Sequence, residues 1–358
     1  MRIVVITTSF PRDDEDPSGH FVRSSAEVLA GHGDEVHVIA PGGSARDPPL
    51  RRGRLTVHRA GGGALFAWPG AAARAREAPW RLLAAAPFAA GASRRLRELA
   101  PIDRAVAHWI VPCAWPLMLA APRVPLEVRG HGADVRLLLR APRAAREAIV
   151  AALLARGASF AFAAAALLDA LSGALSPALS GALSAAARVE PPAIDVPDVL
   201  DLKDRARALR RGLALAPGER LAVVACRLIR TKRVDLAIAA AAAASPPARL
   251  VVVGDGPERP ALERLAVGSA VLLAGALPRR EALAWIAAAD ALLHPSSVEA
   301  APTVVREARA LGVSVVACDA GDVAVWAADD PGIAVAPRTV EGLAEALSAV
   351  PPRPPERA

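Results

Sequence analysis

Two pairs of side chains in the second half of the chain have types and spacings that could do chemistry. Glu299 and Glu307, with seven residues between them, span the turn and helix start in "HPSSVEAAPTVVREARALGVSVVA", residues 294 to 317. Arg227 and Lys232 bracket the basic loop that follows the apolar run "ERLAVVA". In the first stretch an apolar strand ends at His294, a Pro/Ser turn follows, and Pro302 opens an amphipathic helix that closes before Gly312. A strand feeding a turn and a helix N-terminus makes an anion cradle, because unpaired backbone N–H groups and the helix dipole face the bound group. A phosphate suits the amides of Ala300, Ala301, Thr303 and their neighbours; two carboxylates beside them suit neutral donors such as sugar hydroxyls. The two requirements meet in a sugar nucleotide, although two solvated glutamates at a helix end satisfy the same pattern. Lys232 is one of two lysines in a chain with 41 arginines, which suggests that a compact point charge is wanted there.

The elements that must position these groups read as two α/β domains. "RIVVIT" is a buried strand, the loop "SFPRDDEDPSG" and a helix from about His20 to Gly31 follow, and "EVHVIA" is the next strand. Gly19 lies in the loop at the carboxyl edge of that sheet, where α/β folds put ligands, and no Gly-x-Gly-x-x-Gly fingerprint accompanies it. "LTVHRA" and "RAVAHW" read as strands, residues 71 to 99 as an alanine- and arginine-rich helical region, and His131 as a histidine at the end of the strand in "PLEVRGHGADV". Residues 171 to 186, two near-copies of an octapeptide, read as flexible or loosely helical. "RVEPPAIDVPDV" reads as an interdomain linker. The boundaries expected are 1–190 for the first domain, 191–200 for the linker, 201–350 for the second domain and 351–358 for a disordered tail.

The glutamate stretch resembles the signature of the retaining glycosyltransferases of family 4, which have the GT-B fold of two Rossmann-like, doubly wound domains facing a central cleft. The likeness extends to "TTSFPRDDEDPSGHFVRSSAEVLAGHGDEVHVIAP", to His108, Trp109 and Pro112, to the box of His131, Gly132 and Asp134, and to the Gly254 to Pro257 turn. By that resemblance His131 and Glu299 contact the transferred sugar, Arg227 and Lys232 hold the donor diphosphate, and Glu307 takes the ribose hydroxyls. Gly19, Gly254, Gly256, Ala300, Ala301, Pro302 and Thr303 would line the donor. Three departures stand out: Cys226 in place of a glycine, Ala300 and Ala301 where a glycine and a bulky residue are usual, and "CDAGDVAVWA" where a glycine pair is usual. Family members commonly run on into a terminal crossover helix, an element not found before the closing "PPRPPERA".

The resemblance implies a hexosyltransferase of EC 2.4 type that acts with retention on a polysaccharide or lipid-linked acceptor. The residues add that Arg227, Lys232 and the amides near 300 to 304 could stabilise a departing diphosphate without a metal, and no cofactor is expected. Cys113, Cys226 and Cys318 are too scattered for a disulfide framework or zinc site, and no 18-residue apolar run is uninterrupted. A reduced, cytoplasmic protein follows as the expectation. Of the net charge of +7, the first 197 residues carry 23 Arg against 17 acids. Clusters at Arg51, Arg52 and Arg54, at Arg94, Arg95 and Arg97, and at Arg136, Arg140, Arg143 and Arg146 suit an anionic partner, including the inner face of the plasma membrane. Two other classes compete: a degenerate GT-B protein that binds nucleotide sugar without turnover, and a basic nucleic-acid or membrane binder. The nucleic-acid reading ranks last, because a chain with no tyrosine and six phenylalanines lacks an aromatic platform.

Overall fold

The computed structural model describes all residues except 14–15, 17, 43–47, 67–69, 197–198 and 354–358, and of residues 72, 73, 199 and 200 only the backbone. The chain forms two compact units, one built from Met1–Arg12 and Ser18–Ala193 and the other from Ile194–Ala358 together with the short segment Asp13–Pro17. Each is a twisted sheet with helices on both faces.

In the first unit the strands are β1 Arg2–Ile6, β2 Glu35–Ala40, β3 Leu50–Arg52, β4 Leu55–Arg59, β5 Arg104–His108, β6 Leu126–Gly130, β7 Ser159–Phe162 and β8 Ala187–Val189. Their spatial order is β3-β4-β2-β1-β5-β6-β7-β8, and only β3 runs antiparallel to its neighbour. Strands covered on both faces need continuous apolar runs, and Ile3, Val4, Val5 and Ile6 are all fully buried. The order reverses between β1 and β5, so the loops after these two strands open a crevice at the sheet's carboxyl edge.

The second unit has β9 Leu221–Ala225, β10 Arg249–Val253, β11 Val271–Gly275, β12 Ala291–His294, β13 Ser314–Cys318 and β14 Ile333–Ala336. All pairs are parallel in the order β11-β10-β9-β12-β13-β14, with the switch point between β9 and β12, where Ala222 pairs with Ala291 and Val223 with Leu292. Side chains alternate across this sheet with period two. Ala222, Val224, Leu250, Val252 and Leu293 pack with the helices Val234–Ala243 and Val340–Ala349. Leu221, Val223, Val251, Leu292 and Val315 pack on the opposite face with Arg279–Ala288 and Thr303–Ala310.

Several expectations need correction. The octapeptide repeat is ordered: Pro177–Ala186 is a helix whose Leu183 is buried, and Leu171 and Leu175 are buried ahead of it, so three of the repeat's four leucines fall on the inward side. The span expected as linker starts late, since Arg188 and Val189 pair with β7, and a helix, Val199–Gly212, covers its far end. In the tail, the Arg353 backbone N–H donates to Asp290 at 2.9 Å; residues 354–358 lie outside the described residues. No helix among the described residues is long and apolar enough to cross a membrane.

Candidate functional site

In the second unit, three loops at the carboxyl edge are tied together by their backbones. Leu228 N–H donates to the Asp255 carbonyl at 2.9 Å and Glu258 N–H to the Leu228 carbonyl at 3.0 Å, which joins the loop after β9 to the loop after β10. Ser297 N–H donates to the Thr231 carbonyl at 2.8 Å and joins the first of these to the loop after β12. Gly254 and Gly256 make the first join possible. A Cβ on Gly254 would lie 1.8 Å from the Cys226 carbonyl oxygen, at a φ of +137° that side chains avoid, and one on Gly256 would lie 2.4 Å from the Leu228 oxygen. Gly321 does the same for the helix start: its missing Cβ leaves room for the Ala300 carbonyl, which accepts from Asp322 N–H at 2.9 Å.

These joins carry Lys232, on a short 3-10 turn, to Glu299, whose carboxylate Oε1 accepts from the Lys232 ammonium. His294 Nε2 lies 3.1 Å from the same oxygen, out of line for a hydrogen bond. Both partners of the ion pair are mostly buried, with side-chain exposures of 16% for Lys232 and 12% for Glu299. Burial works against ionising Glu299, but His294 and Lys232 outweigh it and hold the carboxyl well below its usual range. Cys226 sits in the same field: burial, helped by Glu299 and opposed by Lys232 and Arg227, pushes its thiol up to about 12, so it is no nucleophile at neutral pH. Arg227 is exposed on the loop directly after β9.

Glu299 and Glu307 are held by different cations. Glu307 is buried in the helix Thr303–Ala310 and accepts from Arg279 Nη1 at 2.7 Å; Arg279 also donates to the Asp195 carbonyl. Pro302 is the N-cap of that helix, and its own side chain makes no capping hydrogen bond. Ser296, in the turn before it, is buried with its hydroxyl unpartnered among the described residues.

The first unit builds its own cluster at the switch point between β1 and β5. His131, just past β6, stacks on His108 at the end of β5, with ring centroids 5.0 Å apart and Nε2 3.0 Å from His108 Nδ1. Phe21, on the helix His20–Gly31, and Trp109 close around it at 5.0 and 5.1 Å. Trp109 has a φ of +75°, a conformation that costs energy in a bulky residue and persists only where its surroundings impose it. Burial, reinforced by the Arg129 charge, pushes His131 down to about 3, so its imidazole is neutral. Asp134 is a positioning residue: its carboxylate accepts from the backbone N–H groups of Ile110, His131 and Gly132 at 2.7, 3.1 and 3.0 Å. Gly19 caps the helix that carries Phe21, in the left-handed region, with its Cα packed against the Ser9 carbonyl.

The family model for glycosyl transferases group 1 matches residues 219–350, the span that contains both ion pairs. The matched span, residues 219–350, corresponds to a glycosyl transferases group 1 domain. Over 359 residues the chain is 26% identical to the putative teichuronic acid biosynthesis glycosyltransferase TuaC of Bacillus subtilis, covering 97% of this chain and 88% of that protein. Among solved structures it is similar to Anabaena HepE in complex with UDP-glucose, with a TM-score of 0.67 and 20% identity over 97% of this chain and 88% of HepE. It is also similar to sucrose-phosphate synthase from Thermosynechococcus elongatus, with a TM-score of 0.68 and 20% identity over the same shares. The fold is GT-B.

Within the group 1 domain the structure thus brings Lys232 to Glu299 and sets Ala300, Ala301, Pro302 and Thr303 around one helix start, while Glu307 sits under Arg279. Gly254 and Gly256 serve the backbone joins described above. Reading the sequence for site residues passed over His294 and Arg279. His294 carried the same signal as His131, a histidine closing a buried strand at the carboxyl edge. Arg279 carried none, because an arginine in a helix's first turn reads as a solvated charge.

Proposed function

We propose that this protein transfers a sugar from a nucleotide-sugar donor to a polysaccharide or lipid-linked acceptor, with retention of anomeric configuration and without a metal. The observation that carries the reading is the Lys232–Glu299 pair, at the switch point of the second sheet and beside the helix start at Pro302 and Thr303, within the span that matches the group 1 family. As the anomeric C–O bond breaks, negative charge grows on the departing diphosphate. Lys232, Arg227 and the first-turn N–H groups of Thr303–Ala310 are fixed charges and dipoles at that edge, which stabilise it without reorganising. Glu299 is ionised and accepts hydrogen bonds, which suits a hexose hydroxyl; Glu307, steadied by Arg279, suits the ribose. His131, neutral in its aromatic surround, offers a sugar a ring face and a nitrogen rather than a charge. Retention and the identities of these contacts rest on the family resemblance. TuaC's name, which speaks of teichuronic acid biosynthesis, supports a polysaccharide as the class of acceptor; the proposed reaction takes place in the cytoplasm, at the inner membrane face.

Ala300 and Ala301 favour one rival, a protein that binds nucleotide sugar without turning it over. A screen of nucleotide sugars for donor hydrolysis and transfer decides between them. Turnover with at least one donor, abolished in Lys232→Ala, is the expected result; turnover that Lys232→Ala leaves unchanged would refute the assignment.

A further inference from the structure

In the arginine-rich first unit, besides the exposed Trp115, Leu119 and Leu137, the segment between β4 and β5 carries an apolar surface that packing does not use. Helices Gly63–Phe66 and Ala71–Glu77, the 3-10 turn Pro79–Ala84 and the helix Ala85–Glu98 form a projection between β4 and β5. Its base is firmly seated: Phe88 is fully buried against Phe66 at 5.2 Å, and Gly91 lies so close to β4 that a Cβ there would sit 2.3 Å from the Ala60 carbonyl oxygen. Its tip is apolar and open. Trp80 is 66% exposed, Leu82 57% and Leu83 78%, and Ala86, Pro87 and Ala90 continue the exposed surface along the following helix. Isolated exposed leucines are ordinary, but a tryptophan and two leucines within four residues on a rigid support are not.

Charge says what covers it. Residues 71 to 98 hold six arginines and two glutamates. Arg76 is exposed beside the tip; the Arg81 guanidinium, paired with Glu77 at 2.8 Å, lies 5.8 Å from the Trp80 ring; and Arg97 and Arg94, the latter paired with Glu98 at 2.7 Å, are exposed farther along the face that carries Ala86 and Ala90. An amphipathic tryptophan ring, leucines and arginines whose stems run along apolar surface match the boundary between acyl chains and anionic headgroups. The basic cluster at residues 136 to 146 is a poorer candidate, since Arg146 is buried and donates to the Ala174, Leu139 and Ala141 carbonyls.

We propose that the turn Pro79–Ala84 docks the protein on an anionic lipid bilayer, with Trp80, Leu82 and Leu83 entering the interface and Arg76, Arg81, Arg94 and Arg97 facing the headgroups. That the bilayer also presents the acceptor rests on the proposed function; the docking does not, and the test separates the two. The full chain is sedimented with vesicles of phosphatidylcholine alone or with about a third phosphatidylglycerol. Binding to the anionic vesicles only is expected, weakened at least about tenfold in Trp80→Ser/Leu82→Ser/Leu83→Ser and in Arg76→Glu/Arg97→Glu. Donor hydrolysis in solution stays unchanged in both variants, which also shows that they fold. Absence of vesicle binding, equal binding by wild type and the triple variant, or self-association of the wild type that the triple variant abolishes would overturn the proposal. Vesicle binding by a chain that turns over no donor would refute the proposed function and leave the docking standing.

Discussion

Glu299 and an incoming phosphate compete for Lys232, and that gives substitutions of the two residues opposite signs. Before a nucleotide arrives, the ammonium already has a charged partner in Glu299. A phosphate oxygen that takes the lysine gains a charge-assisted hydrogen bond of about 1.5–3 kcal/mol, less what is given up at Glu299. The net leaves about 1–1.5 kcal/mol, so Lys232→Ala is expected to weaken nucleoside diphosphate binding by about tenfold. Glu299→Gln removes a negative charge from beside a polyanion. At a separation of about 7 Å and an effective dielectric of about 20, that repulsion is about 2 kcal/mol, and roughly half survives screening. Glu299→Gln should therefore bind nucleoside diphosphate about fivefold more tightly, while turnover falls by about a hundredfold or more, because the amide cannot accept from the sugar as a carboxylate does. Calorimetric titration of both variants with the preferred nucleoside diphosphate, beside turnover assays, reads both signs; thermal melts control for the cost of separating a mostly buried pair. Weaker binding in Glu299→Gln, or turnover that survives it, would refute the reasoning.

Two further outcomes follow from the first unit. Asp134→Ala leaves three backbone N–H groups without their acceptor and should cost about 3 kcal/mol or more in denaturant unfolding; a loss under about 1 kcal/mol would contradict the positioning role. Acid should destabilise this unit, because burial holds His131 down at about 3 and His58 at about 4, against 6.5 for the free side chain. The unfolded chain then binds more protons between those values, so the stabilisation is complete above pH 6.5 and is lost as pH falls toward 4 and below, at about 3 kcal/mol per group by pH 4. Unfolding midpoints that stay level from pH 7 to 4.5 would contradict this.

What the sequence disclosed, and what it hid, follows from how locally each feature is determined. Both sheets were legible because parallel strands covered on two faces must be apolar throughout, as "RIVVI" and "LAVVA" are. The turn and helix from His294 to Ala310 were legible for the same local reason, with Pro302 marking the helix start. The helix Val199–Gly212 was hidden because it is mostly charged and buries only a narrow stripe that includes Leu202 and Ala206. The octapeptide repeat misled through its composition, since low complexity does not stop leucines from falling on one face. The pairing of Glu307 with Arg279, and the burial of Arg146 under three carbonyls, depend on residues brought together only by the fold.

The most direct test of a diphosphate held by the group 1 domain is hydrogen exchange along the full chain with and without saturating nucleoside diphosphate. Slowed exchange confined to residues 226–233 and 299–305 is the expected result. Protection elsewhere that leaves these two loops unchanged would contradict it.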